Sequence, residues 1–204
     1  MSRRPCLIGG WRIFRRRTME AMPMSVLGPT IETKRLTLRP PVAGDFAGFC
    51  LLMADDEAAK FIGGVQSPPV VWRIMRTIAG GWALDGFHMF SVIEKTSGDW
   101  IGRIGPIYPE GWPGPEVGWG LLRKFWGRGY AKEASAAAMD FAFGTLGWDR
   151  VIHNIDPGNT HSINLANALG SHRIGPGRLP DPYSHLNVDI WGQSRDEWRA
   201  RGSA

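Results

Sequence analysis

Apolar and polar positions alternate in short runs along this chain, and helical periodicities separate the runs. "KRLTLRP" (34–40) alternates around Leu36 and Leu38 and stops at prolines, which predicts a first strand. Asp45 is placed to cap a helix through about Met53, with Phe46, Phe49, Cys50 and Met53 on one face. "SPPVVWRIMRTIAGGWAL" (67–84) opens on a serine and a proline pair, a helix-start signature, and Gly80 and Gly81 should weaken that helix near its end. "HMFSVIEKTSGDWIGRIG" (88–105) holds two strand-like runs joined by a "KTSGD" turn, the pattern of a hairpin.

A loop rich in glycine and proline follows, and then "EVGWGLL" (116–122) as a strand. A helix is predicted from about Gly129 to Leu146, a strand over "RVIHNID" (150–156) and a helix over "NTHSINLANALG" (159–170) closed by Gly170. "LNVDIW" (186–191) reads as a last strand and "SRDEWRARG" (194–202) as a short C-terminal helix. Strands and helices interleave around one mixed sheet, so the class is α/β or α+β.

Length and charge refine this picture. A chain of 204 residues can bury a real core, and one domain over 31–204 is expected. No apolar run reaches the length of a membrane span, so no membrane partner is expected. Cys6 and Cys50 give neither a disulfide framework nor metal-ligand spacing, which fits a cytoplasmic chain without a metal. The net charge of +5 is uneven. Residues 1–30 hold six arginines and one acid, Glu20, while the remaining 18 Lys/Arg and 18 Asp/Glu cancel over 31–204. The folded part is therefore neutral overall, which argues against nucleic acid as its partner. The arginine-rich leader is expected to be a poorly ordered extension or an upstream start; a docking arm, which includes association with nucleic acid, and a targeting signal are the other readings.

The chemistry concentrates in "LLRKFWGRGYAKEASAAAMDFAFG" (121–144). At 100° per residue, Ala134, Ala137, Ala138, Phe141 and Thr145 share one helical face, and Lys132, Glu133, Ser135 and Asp140 the other. Small residues let such a helix press on a sheet, and its first turn offers free N–H groups and partial positive charge. Gly127 and Gly129 carry no Cβ, and Arg123, Lys124, Arg128 and Lys132 add positive charge, so the turn predicts an anion site for a pyrophosphate. From spacing alone, a plain strand-to-helix turn with solvated cations is an equal reading. The Walker loop is absent, and a dinucleotide fingerprint fails because Lys132 stands at its third glycine.

"EVGWGLLRKFWGRGYAKEA" resembles the acyl-CoA-binding motif of the Gcn5-related N-acetyltransferases (GNAT), and most resembles the branch of the ribosomal-protein N-terminal alanine acetyltransferases. The family's phosphate loop, [QR]-x-x-G-x-[GA], maps onto Lys124, Gly127 and Gly129, with lysine as the departure. "IETKRLTLRP" resembles the family's opening strand and "DPGNTHSINLANALG" its second signature, so the likeness runs from about 31 to 200.

The resemblance implies a mostly antiparallel sheet of six to seven strands, with a splayed strand pair forming an acyl-CoA cleft. It implies acetyl-CoA as co-substrate, with pantetheine against Gly120, Leu121 and Leu122. The pyrophosphate would be wrapped by amides from Lys124 to Ala131, including those of Gly127, Arg128, Gly129 and Tyr130, beside Arg123. Asn159 would bind the pantetheine arm, helix capping being its other reading, and Ser162 would lie near the sulfur.

The implied reaction is direct transfer of acetyl to a primary amine, on a small molecule or a peptide N-terminus. A backbone N–H of Leu121 or Leu122 would polarise the thioester carbonyl. Glu116, at the start of the cleft strand, is the candidate base; an exposed strand-start carboxylate is the alternative. Many relatives place a tyrosine seven residues after the signature asparagine, and here that position is Ala166. Ser162 would then donate to the thiolate, with Tyr183 and His185 as remote alternatives, while His153 and His161 would pack or face solvent. Trp112, Trp119 and Trp126 either wall the cleft or fill the core. A non-catalytic acyl-CoA sensor on the same fold is the other functional reading, and a homodimer follows only by analogy.

Overall fold

The computed structural model describes residues 27–202. The leader's first 26 residues, and Cys6 with them, lie outside the described part. Eight strands form one sheet: β1 (Ile31–Glu32), β2 (Leu36–Arg39), β3 (Phe90–Glu94), β4 (Trp100–Ile107), β5 (Glu116–Leu121), β6 (Arg150–Ile155), β7 (His172–Gly177) and β8 (Val188–Ser194). Their spatial order is β1-β2-β3-β4-β5-β6-β8-β7. Every neighbouring pair is antiparallel except β5 and β6, which run parallel.

The predicted hairpin is β3 and β4, joined at the "KTSGD" turn. β7 is an addition to the sheet read from the sequence. It carries Gly175, Pro176 and Gly177, which mask it as a loop, and it lies at the sheet edge, where a proline leaves no ladder bond unmade.

The helices are α1 (Phe46–Ala54), α2 (Asp56–Ala59), α3 (Pro68–Leu84), α4 (Tyr130–Asp140), α5 (Thr160–Leu169) and α6 (Arg195–Gly202). Asp45 stands at the N-cap position of α1 but makes no side-chain cap. Its carboxylate is buried and accepts instead from Arg39 at 2.7 and 2.8 Å, Ser91 Oγ at 2.7 Å and the Val42 amide at 2.9 Å. α3 persists past Gly80 and Gly81 to Leu84, and at Gly81 it passes so close to the His88 ring that a Cβ would clash.

The helix expected over 129–146 is α-helical only to Asp140 and continues as a π turn over Phe141–Thr145. The wider turn buries Phe141, Ala142 and Phe143 in succession, with Phe141 edge-on to Phe90 at 5.3 Å, and it leaves Thr145 exposed. Ser135, read onto the polar face, is fully buried.

α4 lies against β2, β4 and β5 and beside α5. Ala134 and Ala138 are buried there, so the alanine face does press on the sheet. On the face carrying Glu116, Gly118 and Gly120, the bare backbone of Gly120 meets Leu52 of α1 and Ile62.

Candidate functional site

β5 and β6 touch at one register position only, Glu116 with Ile152, next to the bond from the Ile152 amide to Pro115 O at 2.8 Å. Beyond it the strands part. Pro106, which has no N–H, faces Val117 in the β4 pairing. Val117, Trp119 and Leu121 therefore turn their main-chain groups away from β4 and into the gap. The Leu122 amide donates to Ile101 O at 2.9 Å, so of the two amides offered for a substrate carbonyl, Leu121's is the one facing the gap. Main-chain groups of Gly120 point to β4.

His153 of β6 crosses the gap as a strut. Its Nδ1 meets Val117 O at 2.7 Å, and its Nε2 meets Ser171 Oγ at 3.0 Å. A carbonyl only accepts, so Nδ1 carries the proton and Nε2 accepts from the serine. Burial pulls this imidazole down to about 4.

At the head of α4, Gly127 (φ +72°) and Gly129 (φ +77°) are left-handed, which explains both glycines before any ligand is considered. Gly129 is the N-cap and has no side chain to satisfy the first turn. Among the described residues, the amides of Gly129 to Lys132 have no acceptor, so four consecutive donors stand free.

The loop is anchored from behind. Arg35 donates to Arg128 O at 2.8 Å and to Glu133 at 2.6 Å, and lies 4.4 Å from the Tyr130 ring centroid. The Tyr130 side chain is buried and donates to Glu94, so only its amide faces outward. The four cations divide. Arg123 pairs with Asp55 at 3.0 Å and Lys124 with Asp99 at 3.3 Å, both away from the cavity; Arg128 lies 5.4 Å from the Phe125 ring centroid; and Lys132 lines the cavity without an acid partner.

That cavity, about 280 Å³, runs from Gly127, Gly129, Ala131 and Lys132 along Gly120 and Leu121 to Asn159 and Ser162. A larger one, about 480 Å³, adjoins it and shares Trp119, Asn159 and Ser162. Asn159 does cap α5, its Oδ1 accepting from the Ser162 amide at 3.1 Å, while its Nδ2 has no acceptor among the described residues. Trp119 Nε1 donates to Ser162 Oγ at 3.0 Å, which leaves the serine O–H free to donate. Trp126 donates to Leu121 O at 2.9 Å and faces His161 at 5.2 Å.

Glu116 lies in the larger cavity and is 7% exposed, so it is not a solvated strand-start carboxylate. It accepts from Trp112 Nε1 at 2.5 Å, Asn154 Nδ2 at 2.6 Å and the Asn154 amide at 3.3 Å. Burial pushes the carboxyl above its ordinary value, against the pull of those donors. Tyr183 packs on Trp112 at 5.9 Å and joins the cavity wall, whereas His185 sits in an exposed loop on Pro182 O. Ala166 is fully buried.

Sequence reasoning missed Asn154 and Arg103. The first is a polar residue within an apolar β6 run; the second is the lone charge of β4, and it too lines the cavity. Among the described residues, no group of three or more His, Cys, Asp or Glu could hold a metal, and no helix is long and apolar enough to cross a membrane.

Comparison with known proteins gives a consistent set of similarities. The family described as acetyltransferase (GNAT) domain matches residues 35–172. The chain is 32% identical over 165 residues to a Bacillus licheniformis protein named uncharacterized N-acetyltransferase p20, covering 76% of this chain and 93% of that one. Among solved structures, an acetyltransferase from Agrobacterium tumefaciens superposes with a TM-score of 0.73 at 29% identity, covering 82% of this chain and 95% of that one. A ribosomal-protein-S5-alanine acetyltransferase from Vibrio fischeri superposes with a TM-score of 0.66 at 17% identity, covering 83% and 98%, and shows the shared fold.

Proposed function

Because the chain belongs to the acetyltransferase (GNAT) family, we propose that it moves acetyl from acetyl-CoA to a primary amine by direct attack in a ternary complex. The observation that carries this reading is the run of four unbonded amides, 129–132, opening into a cavity that continues into the β5/β6 gap. Free donors at a helix N-terminus fit a pyrophosphate, and Lys132 adds a charge at the same rim. The Leu121 amide and the unpartnered Asn159 Nδ2 fit the amide-bearing pantetheine arm.

Bound acetyl-CoA supplies the electrophilic thioester carbonyl. The Leu121 N–H, fixed by the β4 pairing, is oriented to stabilise charge building on that oxygen. Glu116 takes the amine's proton, directly or through water; its raised affinity for a proton suits it to that task. Ser162 Oγ, held by the Trp119 indole, presents its O–H to the departing sulfur. The amine enters from the Glu116 side, on a small molecule or a peptide N-terminus.

Thermal melting and thiol release test the proposal together. At a concentration one hundred times its Kd, acetyl-CoA stabilises the fold by about 2.7 kcal/mol. That should raise the melting temperature by roughly 5–10 °C. A midpoint unmoved at millimolar acetyl-CoA overturns the binding reading. A raised midpoint with no thiol release above background across a broad amine panel favours a non-catalytic sensor instead.

A further inference from the structure

Among the described residues, Arg103 is a partly buried guanidinium without an ion-pair partner. Arg35, Arg39, Arg123, Arg173 and Arg195 each sit within 3.0 Å of a carboxylate oxygen. Arg103 has no such partner among the described residues; its Nη1 donates to the Met89 sulfur at 3.2 Å, and Tyr183 of the same cavity wall acts on its charge. It lines the larger cavity and not the smaller one, so it belongs to the Glu116 side.

The acids around the same cavity do not answer it. Glu116 is held by Trp112 and Asn154, Asp156 by the Gly158 amide and Asp181 by Ser184; Glu110 is exposed. Burial weakens the guanidinium's hold on its proton, to about 10, and Arg103 in turn helps hold the neighbouring His88 down near 4. A partly buried guanidinium without an anion is costly, and it is the arrangement expected of a group that meets its anion on a ligand.

The register sets where that anion falls. Arg103 faces Gly120, Gly105 faces Gly118 and Ile107 faces Glu116. Arg103 and Glu116 thus lie on one face of the sheet, four residues apart along β5, about 13 Å at strand rise. Between them lies the glycine floor of 105 and 118, with the Met89 methyl resting on Gly118. Arg103 leans back along this floor to Met89 and so towards Glu116. The surrounding walls are apolar, with Ile74, Ile78, Leu179 and Val188.

We propose that the acceptor is a primary amine with an apolar body that also carries an anion, a carboxylate or phosphonate-like group, which Arg103 binds while the amine faces Glu116. This rests on the acetyl-transfer reading and narrows its substrate class. A planar guanidinium fork donates to either oxyanion in bidentate fashion, so both are tested.

The experiment measures thiol release from acetyl-CoA with L-phenylalanine, with its aminophosphonate analogue and with uncharged L-phenylalaninamide. In the native protein one or both anionic amines should exceed the amide in kcat/KM by roughly 30-fold or more, as expected for a charge-assisted bond. Which of the two leads identifies the oxyanion. In Arg103→Met that ratio should fall towards one. Arg103→Lys, which keeps a point charge, should retain an intermediate ratio, and it serves as the second variant should the methionine form melt early.

An amide as good as the anionic amines in the native protein overturns the proposal, as does a ratio that survives in Arg103→Met. If neither these three nor a broad amine panel releases thiol, the acetyl-transfer reading fails separately. Calorimetric binding of the same three amines to the coenzyme A-loaded protein then decides. A preference for the anionic amines that Arg103→Met removes upholds the anion site, and equal binding ends it.

Discussion

Glu116 is the residue where opposing influences meet. Burial favours its protonated form and three donors favour its ionised form, with burial the larger effect. Its proton is therefore lost at a pH above the usual carboxylate range, and activity should climb with pH through that raised value. Glu116→Gln should lower kcat by about 100-fold or more and erase this acid limb, measured as a pH–rate profile. His153 has the opposite sign. It is neutral when folded and takes a proton readily when unfolded, so the unfolded chain binds more protons between pH 6.5 and about 4. Stability from this one group is full above pH 6.5 and falls by about 3 kcal/mol on acidification to pH 4. His153→Gln, a neutral residue at every pH, should reduce the dependence of denaturant midpoint on pH across that window by about half, His88 supplying the remainder.

Among the elements, the loop before α4 is the one whose backbone combines left-handed glycines with unbonded donors. A Cβ at Gly127 would meet nothing within 4 Å, so Gly127→Ala costs only the left-handed conformation, about 1–2 kcal/mol. Gly127→Asn should lose less than alanine, because asparagine tolerates that region, and denaturant melts of the two would show the order. Lys132→Glu should weaken acetyl-CoA binding about tenfold or more by calorimetry, with little change in melting of the unliganded protein, since Lys132 is exposed and lacks an acid partner. Much of this element was legible, because bare glycines and an alanine face leave a clear mark in sequence. The π turn at Phe141 was not, since periodicity alone cannot say where a helix widens to bury three residues in a row. Nor could spacing separate the four cations, because Arg123 and Lys124 are drawn off by Asp55 and Asp99, which are remote in sequence. Asn154 and Arg103 join the site only through strand register, a property of the folded sheet.

At the scale of the whole molecule, the described residues 27–202 line both cavities and form the core that supports them. The expected result of deleting residues 1–26 is an unchanged acetyl-CoA-dependent rise in melting temperature. A lost rise would place part of the binding surface in the leader. A salt-titrated nucleic-acid assay on both forms checks the leader's own arginines, since the remainder of the chain is electrically balanced. The His153 strut has a further consequence. Val117 O is already occupied by an imidazole, so the seam between β5 and β6 is ajar in the resting protein and no backbone bond has to break for a guest to slip in. Stopped-flow mixing with coenzyme A should give one exponential whose rate rises linearly with concentration, with no plateau from a preceding slow opening.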